Sequence, residues 1–182
     1  MSTILQSRPA HESSSVAPAR FVVAVVPAHN EQNGLAHTLR ALAGQTRPPD
    51  LTVVISDNST DGTVELAGTF PRVAVVETVD NADKKAGALN QILARLLPHL
   101  DSDDLILAQD ADSVLSGDFI ENAMGHLVAR PDHGAVGGVF AGSRGGGFVG
   151  HLQRNEYARY ARDVQRMNGK CLVVTGTAAL FR

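Results

Sequence analysis

Two aspartates, Asp110 and Asp112, flank Ala111 just after the strand-like segment Asp104 to Ala108, with Gln109 between. Residues two apart in extended chain point to the same side, so both carboxylates can face one point. Hard divalent cations prefer oxygen ligands and commonly bind through one or two carboxylates together with substrate phosphates. The pair is therefore a candidate Mg2+ or Mn2+ site for a diphosphate, although a solvated acidic loop has the same letters. Asp57 follows an earlier apolar run in the same way, and its structural alternative is an Asx turn or helix cap. Lys85 opens the segment Lys84-Lys-Ala-Gly-Ala-Leu-Asn90. A lysine near a helix N-terminus can meet phosphate together with backbone N–H groups; the alternative is a solvated helix start. Gly87 inside those first turns costs a helix about 1 kcal/mol against Ala, which the close approach of a ligand or another backbone would justify. Pro27, Ala28, His29, Asn30 and Glu31 follow the first apolar run. His29 titrates near neutrality and is a candidate general base, while the loop as a whole reads as contacts to a nucleotide. Asp61 with Gly62 reads as a turn or cap.

The elements that must position these groups follow from the hydrophobic pattern. Phe21-Val-Val-Ala-Val-Val26 is a continuous apolar run rich in β-branched residues, the mark of a strand buried on both faces, and Pro27 is expected to end it. Leu35, Leu39 and Leu42 recur at helical spacing, Gly44 sits at the C-cap position, and Pro48-Pro49 blocks continuation. Strands are expected at 51–56, 73–77, 104–108 and 135–139, with short closing strands at 172–174 and 179–181. Asp61 or Thr60 would cap a short helix reaching Gly68. Asp83 would cap a helix over Lys84 to Leu97, with Ala88, Leu89, Ile92, Leu93 and Leu96 on its apolar face. Further helices are expected over 119–128 and 151–167, with a flexible Gly-rich loop at 143–147. Strands alternating with helices argue for a right-handed, mainly parallel α/β sheet. Ligands bind such sheets outside the carboxyl ends of the strands, and the loops 27–31, 57–61 and 110–112 all lie there.

Composition narrows the classes. A chain of 182 residues, 43% hydrophobic and without Trp, fits one domain with a core of Val, Leu and Ala. The net charge of −3 argues against nucleic acid as a partner. A lone cysteine, Cys171, excludes an internal disulfide and fits a reducing compartment. No run approaches the roughly 20 apolar residues of a membrane span. Residues 1–20, rich in Ser, Ala and Pro and without an apolar signal core, read as a disordered leader. A cytoplasmic protein is expected.

The segments Val26-Pro-Ala-His-Asn-Glu31, Gln45-Thr-Arg-Pro-Pro49, Ser56-Asp-Asn-Ser-Thr-Asp-Gly-Thr63, Lys85-Ala-Gly-Ala-Leu-Asn90 and Asp110-Ala-Asp112 together resemble family 2 glycosyltransferases, in the family's order and at its spacing. Gln153-Arg-Asn-Glu-Tyr157 and Thr175-Gly-Thr-Ala-Ala-Leu-Phe-Arg182 are similar to the processive polysaccharide-synthase branch. The resemblance implies a GT-A, Rossmann-like sheet flanked by helices over 21–182, truncated at its C-terminal side. It implies inverting, metal-assisted transfer from a UDP-sugar to a glycan or other hydroxyl acceptor. Pro27 to Glu31 and Asp57 would hold base and ribose, Lys85 the diphosphate or sugar, and Asp110 the nucleotide-sugar. Asp112, with Asp110, would bind Mg2+ or Mn2+, and Thr175 and Gly176 would lie on the acceptor side. The family's catalytic base falls in a Thr-Glu-Asp-like motif that would lie beyond Arg182, and the Gln-x-x-Arg-Trp motif of processive members is not in the sequence. The catalytic residue is thus unassigned. A second protein segment would complete the domain, cover the edge expected after Phe181, and hold the chain at the inner face of a membrane.

Two other classes remain open. One is a non-catalytic nucleotide-binding or interaction protein that kept the fold. The other is a different α/β nucleotide enzyme. A dehydrogenase wants Gly-x-Gly-x-x-Gly after its first strand, and 27–31 does not supply it; a nucleotidyltransferase shares the paired carboxylates but wants a Gly-rich signature there too.

Overall fold

The computed structural model describes residues 20–139, 147–167, 174 and 177–182. The leader before Arg20, Cys171, most of the closing strand expected at 172–174, and the acceptor-side residues Thr175 and Gly176 lie outside the described residues. The strands are β1 (Val22–Ala28), β2 (Leu51–Ser56), β3 (Val73–Glu77), β4 (Leu105–Gln109), β5 (Ala135–Gly137) and β6 (Ala178–Phe181). The helices are α1 (Leu35–Ala43), α2 (Thr63–Gly68), α3 (Lys84–Leu96), α4 (Phe119–Ala129) and α5 (Gly147–Arg166).

The strands form one sheet in the order β3-β2-β1-β4-β6-β5. β3, β2, β1 and β4 are mutually parallel, and β6 runs antiparallel to both β4 and β5. The mainly parallel α/β sheet expected from the pattern is thus present. β6 lies between β4 and β5, so among the described residues the edge on this side is the short β5 rather than the segment ending at Phe181. Helices cover both faces. Leu35, Leu39 and Leu42 of α1, Ala67 of α2, and Ile120, Ala123 and Leu127 of α4 pack with Val22, Ala24, Val26, Leu105 and Leu107. Ala88, Ile92 and Leu96 of α3 pack with Val23, Val25, Val53 and Ile55 on the other face. Alternate residues of β1 serve opposite layers, which is why its sequence is apolar without interruption.

Pro27 does not end β1. The pairing of β1 with β4 stops at Val25↔Ala108, whereas pairing with β2 continues through Pro27↔Ile55 to Ala28↔Ser56. The proline therefore sits where a single neighbour strand remains, a position that tolerates its missing N–H. The Gln45-to-Pro49 segment is structural. Gln45 donates to Ser116 O at 2.7 Å and accepts from Ile120 N at 3.2 Å, fastening the end of α1 to the start of α4. Arg47 bonds Arg20 O at 3.0 Å and Asp50 at 2.6 Å, and Asp50 accepts from Val22 N at 2.8 Å, which fixes the start of β1 against β2.

Candidate functional site

The loops after β1, β2 and β4 and the start of α3 meet at the carboxyl edge of the parallel strands. β1 and β2 turn outward through Asn30 (φ +56°) and Asn58 (φ +51°), both left-handed, a region Asn tolerates better than most residues. The two loops are laced together. Asn30 Oδ1 accepts from Thr60 N at 2.8 Å, Thr63 Oγ1 from Glu31 N at 2.8 Å, and Asp61 Oδ2 from Gln32 N at 3.2 Å. Asp61 also accepts from Thr63 N at 3.0 Å, so Asp61, not Thr60, closes the turn into α2. Its hydrogen bond from the Thr63 hydroxyl holds its carboxyl below the usual carboxylate range.

Asp57 is nearly buried, at 7% exposure, although it bears a carboxyl group. Its Oδ1 accepts from Asn81 Nδ2 at 2.7 Å, Thr78 Oγ1 at 2.9 Å and Asn58 Nδ2 at 3.1 Å. Its Oδ2 has no hydrogen-bond partner among the described residues. His29 Nδ1 lies 2.6 Å from Asp57 O and must donate to it, since a carbonyl only accepts. With Nδ1 engaged there, Nε2 lies 3.5 Å from Asn30 Nδ2, a contact within the same loop.

Asn81 was not singled out by the sequence, yet it joins two parts of the site. Besides Asp57 it donates to Lys84 O at 2.8 Å and accepts from Asp83 N at 3.2 Å. Asp83 occupies the N-cap position of α3 without a side-chain capping bond, so the turn is organised by Asn81 instead. This also explains Gly87. A Cβ there would stand 1.9 Å from Asn81 Oδ1, so the close approach comes from a side chain rather than from a ligand or another backbone. Gln91 completes the brace, pairing through its amide with both Val79 N (3.0 Å) and Val79 O (2.8 Å).

Lys85 forms an ion pair with Asp110, bringing the start of α3 onto the Asp-x-Asp turn after β4. Asp112 has no ion pair among the described residues. Burial, followed by the negative charges of Asp112 and Asp61, holds the Glu31 carboxyl above the usual carboxylate range; Asp110 adds to this, and His29 opposes it. Lys85 therefore leaves excess negative charge around Glu31 and Asp112, and an all-oxygen donor set of this kind suits Mg2+ or Mn2+. No three such groups among the described residues form a ready cage, so a cation here would take its remaining ligands from phosphate and water.

The folded chain keeps a proton on Glu31 to higher pH than the unfolded chain does. Stability from this carboxyl is therefore greatest in acid, and is lost as pH rises above 4.5 through the raised folded-state value. Glu31→Gln is expected to match wild type below that window and to be slightly more stable above it, the gain being small because water screens a partly exposed group. Denaturant titrations across that range check this; a gap independent of pH would trace to something other than this carboxyl.

The sequence pattern of the family described as Glycosyl transferase family 2 matches residues 23–182. A 4,4'-diaponeurosporenoate glycosyltransferase of Staphylococcus aureus (strain bovine RF122 / ET3-1) is 29% identical over 118 residues, which cover 60% of this chain and 31% of that protein. The chain thus spans about a third of the length of the curated relatives it matches. Among solved structures, mannosyltransferase PcManGT from Pyrobaculum calidifontis, in complex with GDP-Man and Mn2+, has a TM-score of 0.66 and 25% identity, covering 98% of this chain and 49% of that one. Glucosyl-3-phosphoglycerate synthase of Mycobacterium tuberculosis has a TM-score of 0.58 at 22% identity, covering 89% of this chain and 57% of that one. S. aureus TarS 1-349 in complex with UDP has a TM-score of 0.57 at 19% identity, over 70% of this chain and 37% of that one.

Proposed function

The chain belongs to glycosyl transferase family 2, and on that premise we propose that its carboxyl-edge site binds the nucleoside diphosphate sugar, a UDP-sugar first of all, of an inverting glycosyl transfer. The observation that carries the reading is the Lys85–Asp110 ion pair, which joins the start of α3 to the Asp-x-Asp turn at the strand ends. Asp57 is the base-side group: its buried Oδ1 is saturated by three donors, and Oδ2 is left to accept an N–H from the base. Pro27 to Glu31 form the adjoining wall, with Ala28 O accepting from Asp57 N and the His29 ring donating to Asp57 O. Lys85 and Asp110 hold the diphosphate and sugar, and Asp112, with Asp110, is the residue for Mg2+ or Mn2+. When bound, that cation supplies Lewis-acid compensation for charge on the departing diphosphate.

In the proposed reaction an acceptor hydroxyl, on a glycan or other molecule, attacks the anomeric carbon. The new carbon–oxygen bond forms on the face opposite the breaking bond to phosphate, and the hydroxyl proton passes to a general base. No described residue is assigned as that base; Thr175 and Gly176 are the proposed acceptor side. A cytoplasmic location belongs to the same proposal; the lone Cys171 fits a reducing compartment.

Calorimetric titration of the full chain with UDP and with GDP, each with and without Mn2+, tests the reading. UDP binding strengthened by Mn2+ is the expected outcome. GDP bound in preference would move the donor to guanosine, and a folded chain that takes up neither nucleotide would sink the donor site.

A further inference from the structure

A buried polar brace lies beneath the Asp-x-Asp turn. Thr38 interrupts the Leu35–Leu39–Leu42 stripe of α1 and is fully buried. Its hydroxyl donates to Ala111 O at 2.6 Å, with Ser113 O a second acceptor at 3.1 Å. Gln109, the last residue of β4 and also fully buried, donates Nε2 to Ser113 O at 2.7 Å. Ser113 N closes the turn onto Asp110 O at 3.3 Å. The carbonyls on either side of Asp112 are thus tied down into the core from two elements, while Asp112 itself points to solvent.

Core packing alone does not account for these residue types. Gln109 Oε1 is buried without a hydrogen-bond partner among the described residues, a net penalty for an interior position. Thr38 stands where its neighbours on the helix face are leucines, and an apolar side chain would pack there without a hydroxyl to satisfy. What both residues share is the turn they hold. We infer that Thr38 and Gln109 are positioning residues that set the backbone from Ala111 to Ser113 so that the Asp112 carboxylate meets the cation. This rests on the donor-site reading above. Side chains that orient metal ligands from behind typically matter by roughly 10- to 100-fold in metal affinity.

The test compares UDP affinity with and without Mn2+ in wild type, Thr38→Val, Thr38→Ser and Gln109→Met, alongside melting temperature. Thr38→Val keeps the shape and removes the donor. The gain in UDP affinity from Mn2+ is expected to shrink by roughly 10-fold in Thr38→Val and Gln109→Met. Affinity without metal should stay within about twofold of wild type, a difference of well under 1 kcal/mol, and Thr38→Ser should restore the gain. If Thr38→Val does not fold, Gln109→Met decides the matter alone. A lower melting temperature with an unchanged Mn2+ gain overturns the inference, as does an equal loss of affinity with and without metal. A wild type that binds UDP but gains nothing from Mn2+ overturns both this inference and the metal reading beneath it, so the two failures are told apart by the wild-type arm.

Discussion

Replacing Asp112 with alanine is expected to leave metal-free UDP binding near wild type and to remove the strengthening that Mn2+ brings. The expected loss at saturating metal is roughly 100-fold, the scale of the several kcal/mol a cation contributes against phosphate charge. Asp112 has no ion pair among the described residues, and the nearby Lys85 pairs with Asp110 instead. The charge of Asp112 is also the first electrostatic burden on Glu31. Removing it should therefore raise, not lower, the stability of the metal-free protein. The variant should melt at or above the wild-type temperature alone, and well below it once Mn2+ and UDP are added. That crossing separates loss of a ligand from loss of the fold. Asp110→Ala should behave differently, because it also breaks the ion pair that holds Lys85 against the Asp-x-Asp turn and so weakens UDP binding with and without metal. An Asp112→Ala protein that keeps the full Mn2+ effect would remove this residue from the metal site.

Much of this arrangement can be read from residue order, because the signals are local. The apolar run at Val22–Val26 announces a strand covered on both faces, and polar clusters after three such runs locate a common edge. Asp61 as a turn-closing residue and Lys85 at a helix start follow from the same short-range chemistry. The extent of β1 does not, since whether Pro27 stays in the strand depends on β4 having already diverged, a fact about a partner some eighty residues away. The reversed direction of β6 is equally invisible, because a four-residue apolar segment carries no direction. Asn81 and the Thr38–Gln109 brace escaped for a different reason. Asn81 reaches Asp57, and Thr38 reaches Ala111 and Ser113, across long sequence separation that no spacing rule encodes; Gln109 bonds Ser113 O only four residues on, but at a position the pattern assigns to the end of a strand. Thr38 did leave a trace, as a polar residue on an otherwise leucine-lined helix face, and Gln109 another, as a polar end to an apolar strand. A buried position filled by a hydrogen-bonding type is the readable signal in both.

Gly87 gives the second large effect. The helix scale alone says that Gly87→Ala should stabilise α3 by up to about 1 kcal/mol. The structure reverses that sign. The new methyl carbon would meet Asn81 Oδ1 at 1.9 Å, Asn81 Cγ at 2.9 Å and Asp83 Cβ at 2.9 Å. Asn81 has no idle rotamer to retreat to, because its amide nitrogen serves Asp57 and Lys84 O and its oxygen serves Asp83 N. Displacing it forfeits those bonds, at about 1 kcal/mol each, so Gly87→Ala is expected to lower stability by about 2 to 3 kcal/mol overall. It should also weaken UDP binding, because Asp57 loses the nearest of its three donors. A double-mutant cycle isolates the cause. In an Asn81→Ala background the two closest contacts vanish and only the approach to Asp83 remains, so the Gly87→Ala penalty should fall by more than half. Denaturant unfolding of the four proteins measures the coupling directly. A penalty unchanged by Asn81→Ala would place the conflict at Asp83 and detach Gly87 from the nucleotide site; a strong coupling would make this helix glycine a requirement of Asp57, set by a neighbour six residues earlier in the chain.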